Sequence, residues 1–120
     1  MPDRHILVLE DERLAGLGLA AMLETAGFAI CGPATTADEA AALLDAQPCD
    51  LAILDIQLGP HETSAPIARR LRREGIPFLV ISGHLGAERA SAFSGAPAFA
   101  KPIGSRTIIT AVQEALGAMA

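Results

Sequence analysis

Short apolar runs alternate along the chain with longer segments in which apolar and polar residues are mixed. Five runs are too short for a helix and are apolar at nearly every position rather than at alternate positions. Continuous apolar runs of this length are typical of strands buried on both faces of a parallel sheet. The predicted strands are His5–Leu9, Phe28–Gly32, Leu51–Leu54, Phe78–Ser82 and Ala98–Ala100.

The segments between the runs carry helix signals. Thr36 and Glu39 form a capping box ahead of the second helix, which ends before Pro48. The third helix begins at Thr63 or Ser64 and ends at Gly75, while the fourth, residues 86–93, is short and weakly patterned. The first and fifth helices have apolar stripes at helical spacing: Ala15, Gly18, Leu19, Met22 and Ala26 before a C-cap at Gly27, and Ile108, Val112, Ala115 and Leu116.

Strict alternation of strand and helix predicts an α/β fold. Right-handed crossovers place helices on both faces of the sheet, so five strands favour a doubly wound, flavodoxin-like (βα)5 sheet of order 2-1-3-4-5. Residues 1–120 are enough for one such domain and leave none for a second. In this topology sites form beyond the carboxyl ends of the strands, between strands one and three.

Composition narrows the classes of function that the protein could have. Hydrophobic residues make up 51% of the sequence and charged residues 19%, which indicates a folded, core-rich protein. The net charge of −5 disfavours direct nucleic-acid binding. Cys31 and Cys49 lack the spacing of a metal motif and are predicted to be reduced. No signal peptide or membrane span is apparent, so we expect a cytoplasmic protein that does not insert into membranes.

Polar side chains stand at the carboxyl ends of four predicted strands. Glu10 and Asp11 follow strand one, and Asp55 follows strand three in the same crevice. Oxygen ligands alone favour a hard cation, Mg²⁺ or Mn²⁺. Ser82 and Lys101, at the ends of strands four and five, add a hydroxyl and a positive charge. Together these groups predict a phosphoryl site in which Asp55 is the nucleophile.

Each of these residues also has an ordinary structural interpretation. Acidic residues after a strand often cap the next helix, as Glu12 is expected to do through the helix dipole. Ser82 alone is compatible with a turn residue, and Lys101 alone with a solvated one. The functional interpretation depends on the agreement of four strand ends.

The chain resembles the receiver domains of two-component response regulators over its whole length. The segments that carry the resemblance are "HILVLEDE", "LAILDIQL", "PFLVISG" and "AKP". The resemblance implies that Asp55 accepts a phosphoryl group from a histidine kinase or histidine phosphotransfer protein. It implies a Mg²⁺ site made by Asp11, Asp55, Glu10 through water, and the backbone carbonyl of Gln57. It also implies that Ser82 is the switch hydroxyl and that Lys101 pairs with the phosphoryl oxygens. Pro102 would set the strand-five turn, in this family often through a cis peptide.

Two features distinguish this chain within that resemblance. Receivers usually carry an aromatic switch residue three positions before the lysine, where this chain has Ala98, followed by Phe99. The residues two after the phosphoacceptor and two after the switch hydroxyl tune autodephosphorylation in receivers. Here they are Gln57 and His84, and we hypothesise that His84 shields or positions the attacking water. A solvated loop histidine is the alternative.

The output follows from the same resemblance. The chain ends after helix five, which predicts a stand-alone regulator that binds an unknown downstream protein or drains a kinase of phosphate, unless an effector has been removed. The uncharged start of helix one is expected to leave Leu14, Leu17 and Leu23 exposed as a docking face for the phosphodonor.

Receivers catalyse only their own phosphorylation and dephosphorylation. The alternatives are a receiver-like module that is never phosphorylated and a small Mg²⁺-dependent phosphohydrolase, although the latter usually has a second Asp where Gln57 stands.

Overall fold

Five parallel strands form one sheet in the order β2-β1-β3-β4-β5, as predicted. The computed structural model describes residues 4–83, 86 and 90–117. The strands are β1 His5–Leu9, β2 Ala29–Ala34, β3 Leu51–Asp55, β4 Phe78–Ser82 and β5 Ala98–Ala100, and the helices are α1 Arg13–Thr25, α2 Ala37–Ala46, α3 Ala65–Arg73 and α4 Ser105–Gly117.

Helices cover both faces of the sheet and create two cores. Successive strand residues point to opposite faces, so Leu7 of β1 packs with Ala40 of α2 and Leu71 of α3, while Ile6 packs with the other core. That second core is built with α1 and α4: Leu19, Leu23, Ile108, Val112 and Leu116. Every residue of β3 and β4 is buried, which explains why their sequences are continuously apolar.

Strand β2 lies at the edge of the sheet and runs farther than predicted. It was expected to end at Gly32 but continues to Ala34, with a register shift opposite Leu7 and Leu9 of β1. Gly32 has a φ of 104°, and a Cβ there would lie 2.7 Å from the Ala34 nitrogen. The strand therefore passes through this irregularity only because residue 32 has no side chain. The Gly32–Pro33 peptide is cis.

Helix α1 buries a different face from the one predicted. The buried residues are Gly16, Leu19, Ala20 and Leu23, so the prediction that Leu23 is exposed was wrong. Residues 14–23 contain no charge, and several stripes of helical spacing fit such a segment equally well. Packing selects the stripe with Gly16, where a Cβ would lie 3.1 Å from the Cβ of Pro33. Gly27 follows the helix with a φ of 101°, as predicted for a C-cap.

The connection between β4 and β5 also differs from the prediction. A fourth α-helix was expected over residues 86–93, but the part of it that the structure describes contains a 3-10 helix at Ser91–Phe93. Phe93 is buried, and the Arg72 side chain of α3 donates from Nε to the Ala92 carbonyl at 3.1 Å. These contacts anchor Ser91–Phe93 against α3. His84 lies outside the described residues.

Helix ends follow the predicted signals in α2 and α3. Thr36 caps α2, accepting a hydrogen bond from the Glu39 nitrogen at 3.1 Å. Helix α3 begins after Ser64 with Pro66 in its first turn.

The thiols of Cys31 and Cys49 are free. Among the described residues, no helix has both the length and the apolarity needed to cross a membrane.

Candidate phosphoryl and metal site

Three carboxylates meet at the carboxyl ends of β1 and β3. Leu9 and Leu54 are register partners, so the residues that follow them, Glu10 and Asp55, end the two strands at the same level. Glu10 is 2% exposed and Asp55 3% exposed, whereas Asp11 faces solvent. One oxygen of each carboxylate lies within 4.8 Å of the others. The sequence prediction that these acids converge is therefore confirmed.

Lys101 supplies the positive charge at this cluster. Its Nζ donates to Glu10 Oε1 at 2.9 Å and to Asp55 Oδ2 at 3.0 Å. It is the only lysine in the sequence. Its pKa is raised, because the ion pairs with Glu10 and Asp55 outweigh the lowering caused by partial burial. Lys101 thus remains protonated and joins the ends of β1, β3 and β5.

Asp55 has the most perturbed acidity in the site. Burial is the main cause that raises its pKa to about 7, and the Asp11 and Glu10 carboxylates raise it further, while Lys101 opposes them. A buried carboxylate near other acids favours the neutral form unless a cation compensates. Asp55 can therefore exchange a proton for a metal ion or another positive charge near neutral pH.

The donor set suits a hard divalent cation. Three carboxylates face one ammonium group, which leaves two negative charges in excess when all three are ionised. The clustered ligand atoms are all oxygens, and oxygen ligands prefer Mg²⁺, Mn²⁺ or Ca²⁺ over zinc. Glu10, Asp11 and Asp55 are the residues that could hold such an ion. The acidic cluster thus fits the predicted cofactor.

Ser82 and Pro102 complete the strand-end arrangement. Ser82 is the last residue of β4 and is 9% exposed, and its carbonyl accepts from the Lys101 nitrogen at 2.9 Å. The Lys101–Pro102 peptide is cis. Four strand ends therefore contribute polar groups, as predicted from sequence, with β4 and β5 joined by a backbone hydrogen bond next to the carboxylates.

Gln57 begins a short hydrogen-bonded loop after Asp55. The Leu58 nitrogen donates to the Glu62 carbonyl at 2.9 Å, and the Gln57 side chain donates to the carbonyls of Gly59 and Glu62. The donor group of Gln57 is thus engaged within the loop. The same loop contacts α2, because Glu62 Oε1 accepts from the Ala37 nitrogen at 3.0 Å.

The contact of Glu62 with Ala37 was not predicted. Local capping signals link residues three or four positions apart, whereas this contact spans 25 positions. Only the placement of α2 beside the β3–α3 loop brings the two together, and no single-sequence pattern reports it.

Helix α1 carries exposed apolar side chains. The side chain of Leu14 is 79% exposed and that of Leu17 is 47% exposed, as predicted. A cavity of about 530 Å³ opens between α1 and the connection from β5 to α4. Glu10 and Lys101 line one part of it, and Ala15, Gly18 and Met22 line another. Helix α1 therefore borders a cavity that Glu10 and Lys101 of the acidic cluster also line.

Comparison with protein families identifies a match over nearly the whole chain. A family model described as "Response regulator receiver domain" matches residues 6–113. Comparison with curated protein sequences gives no match.

Solved structures with this fold include receiver domains. A response regulator receiver protein from Sinorhizobium medicae is 28% identical, with a TM-score of 0.85, over 97% of this chain and 96% of the other. A CheY-like receiver domain protein from Methanospirillum hungatei is 25% identical, with a TM-score of 0.83, over 97% and 95%. A Burkholderia pseudomallei response regulator, solved with a phosphorylated aspartic acid, calcium ion and citrate, is 25% identical, with a TM-score of 0.81, over 98% and 71%.

Proposed function

Because the chain belongs to the response regulator receiver domain family, we propose that it accepts a phosphoryl group on Asp55 in a reaction that requires Mg²⁺ or Mn²⁺. The observation that carries this proposal is the cluster of Glu10, Asp11 and Asp55, two of which, Glu10 and Asp55, pair with Lys101. The phosphorylated aspartic acid and calcium ion of the Burkholderia pseudomallei regulator support the same chemistry.

In the proposed step, an oxygen of the Asp55 carboxylate attacks the phosphorus of a phosphohistidine. A P–O bond forms as the P–N bond breaks, and the imidazole leaves and gains a proton. Lys101 pairs with the phosphoryl oxygens as charge accumulates on them. The Ser82 hydroxyl then turns toward the new acyl phosphate. Asp11, Asp55, the Gln57 carbonyl and, through water, Glu10 are the groups that would hold a divalent ion, which would supply charge neutralisation.

The chain acts on its own Asp55 and is not an enzyme that turns over an external substrate. Water ends the phosphorylated state by attacking phosphorus and releasing inorganic phosphate. We propose that Gln57 and His84 tune this hydrolysis and that Pro102 holds Lys101 in the turn after β5. The phosphorylated form binds a downstream protein or serves as a phosphate sink.

Acetyl phosphate is the probe that tests the proposed function directly. We expect intact mass spectrometry to detect one phosphoryl adduct that requires Mg²⁺ and is lost in alkali, as acyl phosphates are. The Asp55→Asn variant should gain none, while Asp38→Asn, which changes an exposed Asp of α2, should behave as wild type. Absence of both an adduct and phosphate release from the wild type would contradict the proposal.

We propose that the phosphodonor, a histidine kinase or phosphotransfer protein of the cytoplasm, docks on the face formed by Leu14 and Leu17. Exposed apolar side chains of this size commonly mark a partner surface. Ala15 and Gly18, next to these leucines in the sequence of α1, line a cavity together with Glu10 and Lys101. A donor seated on α1 would therefore lie on the same side of the molecule as this cavity.

Leu17→Glu is expected to slow phosphotransfer from such a protein at least tenfold, because a carboxylate would have to be desolvated at the interface. Phosphorylation by acetyl phosphate should be unchanged, since Leu17 is not part of the acidic cluster. Ala42→Glu places the same charge on an exposed position of α2 and serves as the control. Equal transfer rates for the wild type and Leu17→Glu would refute the docking face.

A further inference from the structure

We propose that Glu62 is a positioning residue that orients the predicted metal-ligating carbonyl of Gln57 and couples metal binding to the start of helix α2. This inference rests on the proposed function, because it concerns the same metal site. Glu62 does not belong to the cluster of Glu10, Asp11 and Asp55 that the structure identifies. It therefore acts through the loop and not as a ligand.

The orientation of the Gln57 carbonyl follows from peptide geometry. The Gln57 carbonyl and the Leu58 N–H belong to one planar trans peptide unit and so point in opposite directions. The Leu58 N–H donates to the Glu62 main-chain carbonyl at 2.9 Å. The main-chain position of Glu62 therefore fixes the direction of the Gln57 carbonyl.

Neighbouring contacts make this part of the loop a defined unit. The Ile56 nitrogen donates to the Ile81 carbonyl of β4 at 3.1 Å. The Ile56 carbonyl accepts from the Ser64 nitrogen, at the other end of the loop, at 2.9 Å. Gln57 and Thr63 form an isolated antiparallel bridge. The loop is thus a small hairpin whose first strand carries on from β3 and Asp55.

The carboxylate of Glu62 fixes the far side of this hairpin. Its Oε1 accepts from the Ala37 nitrogen at 3.0 Å, at the first residue of α2. The N–H groups of a first helical turn have no partner within the helix, and the helix dipole favours a negative charge there. Glu62 satisfies one such group and at the same time attaches the hairpin to a helix that packs in the core.

Glu39 provides a matched control for this arrangement. Like Glu62, this glutamate has its carboxylate at the start of α2. Its Oε1 accepts from the Thr35 nitrogen at 3.2 Å and from the Thr35 hydroxyl at 2.6 Å. Its contacts lie within the α2 capping segment and do not reach residues 57–63. Loss of Glu39 therefore perturbs the helix start alone, whereas loss of Glu62 also releases the loop.

The test is the dissociation constant of Mg²⁺ for the unphosphorylated protein, measured by titration calorimetry. We expect Glu62→Ala to weaken binding about tenfold, the size of effect seen when a group supporting a metal ligand is removed. Glu62→Gln should bind within about threefold of wild type, because its amide oxygen still accepts from Ala37. Glu39→Ala should bind as wild type does.

The other outcomes separate the possible explanations. Equal losses in Glu62→Gln and Glu62→Ala would mean that the charge alone matters and would overturn the positioning role. An equal loss in Glu39→Ala would assign the effect to the helix and would also overturn it. If Glu62→Ala binds as wild type does, this inference fails while the metal site stands. Absence of Mg²⁺ binding by the wild type would overturn the metal site itself as well.

Hydrogen exchange in the wild type provides a second test of the coupling. Linkage requires that if an ordered loop favours the ion, the ion favours the ordered loop. Saturating Mg²⁺ should therefore slow exchange of the Ala37 amide hydrogen. The expected factor is about the ratio of the Mg²⁺ dissociation constants of Glu62→Ala and the wild type. Exchange at Ala37 that Mg²⁺ leaves unchanged would contradict the coupling.

Discussion

Without divalent cations, the free energy of unfolding is expected to fall by about 3 kcal/mol between about pH 5 and about pH 8 because of Asp55 alone. The folded protein raises the pKa of this carboxyl to about 7 from an ordinary value of 3.8. Between these two values, folded chains hold a proton on Asp55 that unfolded chains have released. Unfolding then releases protons, so a rise in pH favours the unfolded state.

The contribution of Asp55 is fully present below about pH 4 and is lost as the pH rises to about 7. Asp55→Asn should remove this component of the pH dependence and be more stable than wild type at the higher pH, because the amide carries no charge to bury. Saturating Mg²⁺ should restore wild-type stability there by binding the ionised site.

Urea unfolding followed by circular dichroism at several pH values measures this effect, since the chain has neither Trp nor Tyr for a fluorescence signal. Asp38→Asn is the control, because Asp38 is exposed and should keep the wild-type pH dependence. Parallel stability curves for wild type and Asp55→Asn would show that burial of Asp55 does not oppose its ionisation.

Lys101→Met is expected to lower the free energy of unfolding at about pH 8 by about 3 kcal/mol, because it removes one partner of a buried charge network. Glu10 and Asp55, nearly inaccessible to solvent, would lose the ammonium group 2.9 and 3.0 Å away. The loss should be smaller at about pH 5, where protonation neutralises the Asp55 carboxyl, whose pKa is about 7. Mg²⁺ should offset it by replacing the missing positive charge.

Arg106→Met removes a positive charge from an exposed position of α4 and should change stability by no more than about 0.5 kcal/mol. In an Asp55→Asn background the cost of Lys101→Met should shrink, since one of its two carboxylate partners is then neutral. A Lys101→Met protein as stable as wild type at the higher pH would contradict the view that Lys101 compensates these acids.

Sequence reasoning was most accurate where burial is nearly complete. The bounds of β1 and β4 agree with the predictions, because an apolar run bounded by polar residues has one consistent interpretation when both faces are covered. The bounds of β5 also agree, although two of its three residues are exposed. The acidic cluster followed from topology, since parallel strands deliver their ends to a common edge. The sequence alone therefore identifies Glu10, Asp11, Asp55 and Lys101.

The errors have a common physical cause, which is that long-range packing selects among locally equivalent options. The buried face of α1 depends on the approach of Gly16 to Pro33, which no helical periodicity encodes. The segment before β5 is held by Phe93 and by Arg72 from a distant helix. The contact between Glu62 and Ala37 likewise joins residues that only the finished fold makes neighbours.

The position of Lys101 also determines how the protein responds to amine-directed reagents. The chain has no other lysine. An acylating label, aldehyde cross-linker or activated ester that reacts with a lysine side chain therefore reacts inside the acidic cleft. Protonation and two hydrogen bonds make this amine a poor nucleophile. Attachment of the protein to a sensor surface through lysine would block the cleft, and the two thiols are buried or half-buried. Attachment through a terminal tag is therefore the appropriate choice for binding work.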